Sequence, residues 1–180
     1  MGGSSFPLFQ SSFKINFFIF YFLFFILYLH RYYIHYPLDS EEWWHYSYKQ
    51  MAEAIKKYEK NFDYIVISDE DQPPLIYTLF WMKIDPSLTQ KSLKLAWTKV
   101  SDTIMADRFG ETKYYFGHIS RERIRSGGLD GSLKPNILYL CPQSEIRSDF
   151  RYVPVPGSIK LLETIFYLSG RTAKYVLTGR

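Results

Sequence analysis

Residues 15–29 read INFFIFYFLFFILYL. Asn16 is the only strongly polar side chain in the run. A helix needs about 20 apolar residues to cross the hydrocarbon core of a bilayer. The run is shorter than that, so its flanks must extend it. Phe13 lies on one side, and Tyr32, Tyr33, Ile34 and Tyr36 continue the apolar character on the other. Lys14 and Arg31 can turn their charges outward to the head groups, and Trp43 and Trp44 suit an interfacial aromatic belt. The stretch 13–36 is therefore expected to be a transmembrane helix, after an N-terminal tail over 1–12. A cleaved signal peptide would need small residues after its apolar core. The chain offers His30-Arg31-Tyr32-Tyr33-Ile34-His35-Tyr36-Pro37 instead. A buried core helix is the other reading of such a run. With Lys14 before the span and Arg31 after it, charge gives no orientation.

Downstream the pattern changes. Residues 37–46 form a juncture, and a domain follows over 47–180. Ser47 is read as the N-cap of a helix running to about Lys60. Tyr48, Met51, Ala52, Ile55 and Tyr58 recur on one face of it. Lys49, Glu53, Lys56, Lys57 and Lys60 face water, with Glu53 placed to pair with Lys57. Tyr64–Ser68 reads as a strand buried on both faces. Pro73-Pro74 then opens a helix over Leu75–Lys83 that is apolar nearly all round, which predicts burial. Another helix is expected near Ser87, and a weaker segment spans Ser92 to Met105. Strands are expected at 114–119 and 136–141, and at 163–168 paired with 173–177 as a hairpin. The fold class is α/β: a transmembrane helix, then a small mixed-sheet domain ending in an antiparallel hairpin.

The composition fits an ordered chain: 180 residues, 47% apolar and 22% charged, net charge +4. Its basic residues are scattered, so nucleic acid is not an expected partner. Lipid head groups suit a mildly basic surface better. The lone cysteine, Cys141, cannot form an intrachain disulfide and reads as a small buried residue in a strand.

Two polar clusters stand out. Asp69-Glu70-Asp71 follows a buried strand, where α/β proteins place ligands. Asp69 and Asp71 could hold a divalent metal; as a solvated turn, Asp71 or Gln72 would cap the next helix. Arg121, Arg123 and Arg125 alternate, so an extended segment would aim three guanidinium groups one way, toward phosphate, a lipid head group or an acidic partner. His30, His35, His45 and His118 have no metal-ligand spacing. The loop 126–131 reads as a turn, lacking the strand and helix context of a phosphate-binding loop. No catalytic residue, metal ligand or cofactor is assigned.

The stretches Tyr32-Tyr33-Ile34-His35-Tyr36-Pro37, Trp44-His45-Tyr46-Ser47-Tyr48-Lys49-Gln50-Met51 and Asp63-Tyr64-Ile65-Val66-Ile67 carry a resemblance. So do Pro74-Leu75-Ile76-Tyr77, Ile84-Asp85-Pro86 with Gln90, Phe109-Gly110, and Lys113-Tyr114-Tyr115-Phe116. Together they resemble the C-terminal part of bacterial polytopic membrane glycosyltransferases. These are the GT-C type enzymes related to protein O-mannosyltransferases and the aminoarabinose transferase. Ser47 stands where that pattern has glycine, and the acidic turn is not part of it. The resemblance implies the last membrane helix and an extracytoplasmic accessory α/β domain of an enzyme using lipid-linked sugar donors. Its catalytic residues lie among membrane helices, so none carries over to a position here. The expected product is a truncated or split chain, inactive alone, whose partners are the bilayer and the polytopic membrane portion. The alternative is a stand-alone single-pass protein in the cell membrane whose domain is a binding module.

Overall fold

The computed structural model describes residues 6–70, 73–92, 96–100, 103–120, 129, 131–146 and 148–180. Arg121, Arg123, Arg125 and Asp71, and most of the loop 126–131, lie outside the described residues. The chain forms two compact units, 1–44 and 45–180.

In the first unit, α1 (Phe6–His30) continues through a π-helical turn (Arg31–His35) into α2 (Tyr36–Asp39). The sequence predicted a stop at Tyr36-Pro37, yet the helix passes the proline. Pro37 has no N–H to give the preceding turn, and its ring crowds the carbonyl four residues back. Widening that turn resolves both: the Tyr36 N–H reaches back five residues to the Arg31 carbonyl, and Pro37 sits in the first turn of α2. The Ser40 hydroxyl then donates to the Tyr36 carbonyl at 2.5 Å. Arg31 pairs with Asp39 at 3.0 Å across the wide turn, with both side chains in solvent. Such a pair is worth about 0–1 kcal/mol. Over Lys14–Asp39 the helix is long and apolar enough to cross a membrane, and its most apolar stretch is wholly unburied. That excludes the core-helix reading within this unit.

The second unit is a seven-stranded mixed sheet in the order β2-β3-β4-β1-β5-β7-β6. Its strands are β1 (Tyr64–Ile67), β2 (Ala96–Lys99), β3 (Ile104–Arg108), β4 (Tyr114–Ile119), β5 (Ile137–Pro142), β6 (Ile159–Phe166) and β7 (Thr172–Gly179). The helices are α3 (Ser47–Tyr58), α4 (Pro74–Met82), α5 (Pro86–Ser92) and the single turn α6 (Gln143–Ile146). At the centre, β1 runs parallel to both β4 and β5; the remaining pairings are antiparallel. The weaker segment after Ser92 becomes β2 and β3, which extend the sheet beyond β4.

Alternation along β1 splits the core. Val66 joins Tyr115, Ile119, Tyr139, Tyr175 and Leu177 on one face, closed by Leu129, Leu133, Ile146 and Ile159. Ile65 and Ile67 face the other side, against Tyr48, Met51 and Ile55 of α3. Burial on both faces explains why β1 reads as an unbroken β-branched run. At Gly117 of β4 an added Cβ would come within 2.6 Å of the Ala106 Cα, so the β3–β4 approach requires glycine.

Three local expectations are corrected. Ser47 lies inside α3, and the preceding Tyr46 makes no side-chain cap. Lys57 pairs with Glu163 of β6 at 2.8 Å, rather than being held by Glu53, and that partner lifts its pKa to about 12. Its ammonium can reach a strand because α3 packs on that face. The third concerns α4, which is not buried all round. Thr78 is buried, and Leu75, Leu79 and Met82 pack on the core, but Ile76 is 71% and Phe80 70% exposed. A helix lying on a sheet surface has only one face to bury. Its N-cap position is Pro73 and carries no side-chain cap.

Candidate functional site at the carboxyl edge of the sheet

The chain leaves β1, returns as β4 on one side, then crosses to β5 on the other. The carboxyl ends of three parallel strands thus meet at the point where strand order reverses, the usual ligand crevice of open α/β sheets. The register pairs Ile67 with both Phe116 and Leu140. Ser68 and Asp69 therefore leave β1 beside the end of β4, and the Ser68 N–H donates to the Leu140 carbonyl at 2.8 Å.

Here Asp69 meets His118. The His118 Nδ1 lies 2.7 Å from the Asp69 Oδ1, with both side chains partly in solvent. An ionised carboxylate only accepts, so this bond places the proton on Nδ1 and leaves Nε2 as the acceptor of a neutral ring. A proton on both nitrogens turns the contact into an ion pair. Behind the dyad lies a buried network. Tyr139 of β5 donates its hydroxyl to Glu145 Oε1. The Ile119 N–H, at the end of β4, donates to the Tyr139 oxygen at 3.0 Å and toward Glu145 Oε1 at 3.3 Å. Glu145 is positioned by α6, which turns the chain back directly after β5. Among the described residues, its buried Oε2 has no well-formed hydrogen bond.

Burial is the largest influence on Glu145 and raises its carboxyl pKa. The Ser68 and Tyr139 hydroxyls, the Ile119 N–H and His118 pull against it. Burial, with Glu145 alongside, likewise pushes the Tyr139 phenol well above its ordinary range. A group with a raised folded-state pKa favours folding below its unfolded value, and that contribution is lost as pH rises through the folded value. In Glu145→Gln, Oε1 still accepts both bonds and no charge needs burying. In urea melts of the full chain in detergent, wild type should lose stability as pH rises above the ordinary carboxylate range, and Glu145→Gln should lose less. Parallel pH profiles would remove Glu145 from this account.

Asp69 thus pairs with His118, while Asp71 and Gln72, the expected cap residues, lie outside the described residues. Among them, no three His, Cys, Asp or Glu side chains converge to hold a metal ion. Cys141 is fully buried in β5. Sequence reading missed His118, Tyr139 and Glu145. The available signal was position for two of them: His118 lies near the end of one predicted strand and Glu145 just beyond another, whereas Tyr139 lies mid-strand. What the arrangement offers a ligand is an oriented imidazole acceptor and a carboxylate, suited to hydroxyl or amine donors.

Compared with protein-family models, with curated proteins and with solved structures, the chain matches none.

Proposed function

We propose that this chain is a single-pass protein of the cell membrane, and that its α/β unit is the outer accessory domain of a glycosyltransferase using lipid-linked sugar donors. One observation carries the reading. An unburied apolar helix, long enough to span a bilayer, precedes a separate α/β unit, and the stretches resembling the transferases run from that helix into β4. The partners in this reading are the bilayer and a polytopic membrane portion that holds the transfer chemistry. The domain lies outside the cytoplasm.

Transfer from a polyprenyl-phosphate sugar needs a general base and a charge-stabilising donor site at the membrane surface. The purified chain, offered such a donor, an acceptor and a divalent metal, is expected to give no turnover. Turnover abolished by Asp69→Ala would overturn the accessory role and make the carboxyl edge an active site. Cross-linking in native membranes should recover a polytopic glycosyltransferase as neighbour. A chain found without one is the stand-alone binding module, the reading that the Asp69–His118 pair at a ligand edge favours.

A further inference from the structure

The helix α4 is PLIYTLFWM, without a charged residue. Its inner positions Leu75, Thr78, Leu79 and Met82 are accounted for by the core. Its outer positions Ile76 and Phe80, four apart and therefore stacked on one face, are about 70% exposed, and Trp81 beside them is 36% exposed. By contrast, the outer face of α3 carries Lys49, Glu53, Lys56 and Lys57, as a water-facing helix should.

We propose that this face of α4 is a second membrane contact, seated in the interfacial layer of an anionic bilayer. The proposal rests on the anchor reading above. Charge complementarity commits the face to lipid. Lys56 holds its ammonium 3.3 Å from the Trp81 carbonyl, and Lys83 closes the helix in the left-handed conformation with its side chain in solvent. Two cations thus rim the apolar stripe. The nearby Asp85 carboxylate accepts the Ser87 N–H at 2.8 Å. An apolar stripe with Phe, Ile and Trp, edged by Lys, is the composition of helices that lie in the plane of the head groups. Basic residues there gain from anionic lipid. The face is small, and as a free ligand it would bind weakly. A membrane anchor in the same chain makes the contact intramolecular, so a weak affinity suffices.

The test uses the full chain in phosphatidylcholine bilayers with and without phosphatidylglycerol. A nitroxide is attached at Ile76→Cys, at Phe80→Cys and, as an aqueous control, at Lys160→Cys on β6. Cys141 is fully buried, so the unsubstituted chain serves as the labelling blank. Labels at 76 and 80 should favour collision with oxygen over a water-soluble nickel complex several-fold more than the Lys160 label, most strongly with phosphatidylglycerol. Phe80→Ser should return the label at 76 to water. Nickel collision equal to the control would overturn the proposal, and so would shielding from both reagents, which marks a protein partner. A chain that fails to insert overturns the anchor and is then tethered to the same vesicles through a biotinylated N-terminus on streptavidin-bearing lipid, which keeps the contact intramolecular. Labels that then enter lipid uphold the α4 contact, whereas labels that stay aqueous overturn it.

Discussion

Tyr139→Ala should destabilise the α/β unit by about 3–5 kcal/mol. Tyr139 is fully buried on β5, in the part of the sheet where β5 runs beside β1 and β7. Removing its ring opens a cavity among Val66, Ile119, Tyr175 and Leu177, its neighbours in the core cluster. The same change strips a hydrogen bond from the Glu145 carboxyl and one from the Ile119 N–H, both buried. Domains of this size are stable by about 5–15 kcal/mol, so the variant should be on the edge of folding. Tyr139→Phe separates the two contributions. It keeps the ring and deletes the hydroxyl, at a cost of about 1–3 kcal/mol from the polar groups left behind. The Ile119 N–H still has Glu145 Oε1 within reach, which favours the lower end. Because Tyr139 and Glu145 share one network, Tyr139→Phe and Glu145→Gln should not add. Denaturant midpoints of the two single variants and the double variant give the coupling directly. Strict additivity would mean that the Tyr139 hydroxyl and the Glu145 carboxyl do not hold one another.

The second large effect lies in the apolar N-terminal helix. Phe24→Asp together with Leu27→Asp should release the chain from membranes into the alkaline carbonate supernatant. Both side chains are exposed near the middle of the candidate span. An aspartate at the centre of a transmembrane helix costs about 2.5–3.5 kcal/mol, and two such changes act together. The α/β unit should be untouched, because both core clusters are built from Tyr48 onward. Its circular dichroism and denaturant midpoint should match wild type in detergent. Wild-type chain recovered in the supernatant would remove the membrane reading. A soluble product beginning after residue 35 would show that the apolar run is a cleaved signal.

The apolar N-terminal helix, α3, β1, β4, β5 and the final hairpin were all legible in the sequence. Each is announced by a local run: unbroken aromatic and aliphatic residues for α1, helical spacing for Met51 and Ile55, β-branched residues for Ile65–Ile67. Where the reading failed, the local signal was real but its partner lay elsewhere. Glu53 is well placed for Lys57 on an isolated helix, yet packing on the sheet brings Glu163 nearer. Pro37 ends most helices, but one wider turn lets this helix continue.

Hydropathy along the chain determined that residues 15–29 form an apolar helix and that an α/β unit follows, since both follow from residues near one another. Only the tertiary structure decided which side of α4 is covered, because composition states how apolar a helix is and not which face a sheet occupies. It alone also brought Asp69 to His118, 49 positions later, and the Ile119 N–H to Glu145, 26 positions later. Those contacts exist because β1 lies between β4 and β5, and strand order is set by how the whole sheet buries its two faces, a choice that no single segment of sequence contains.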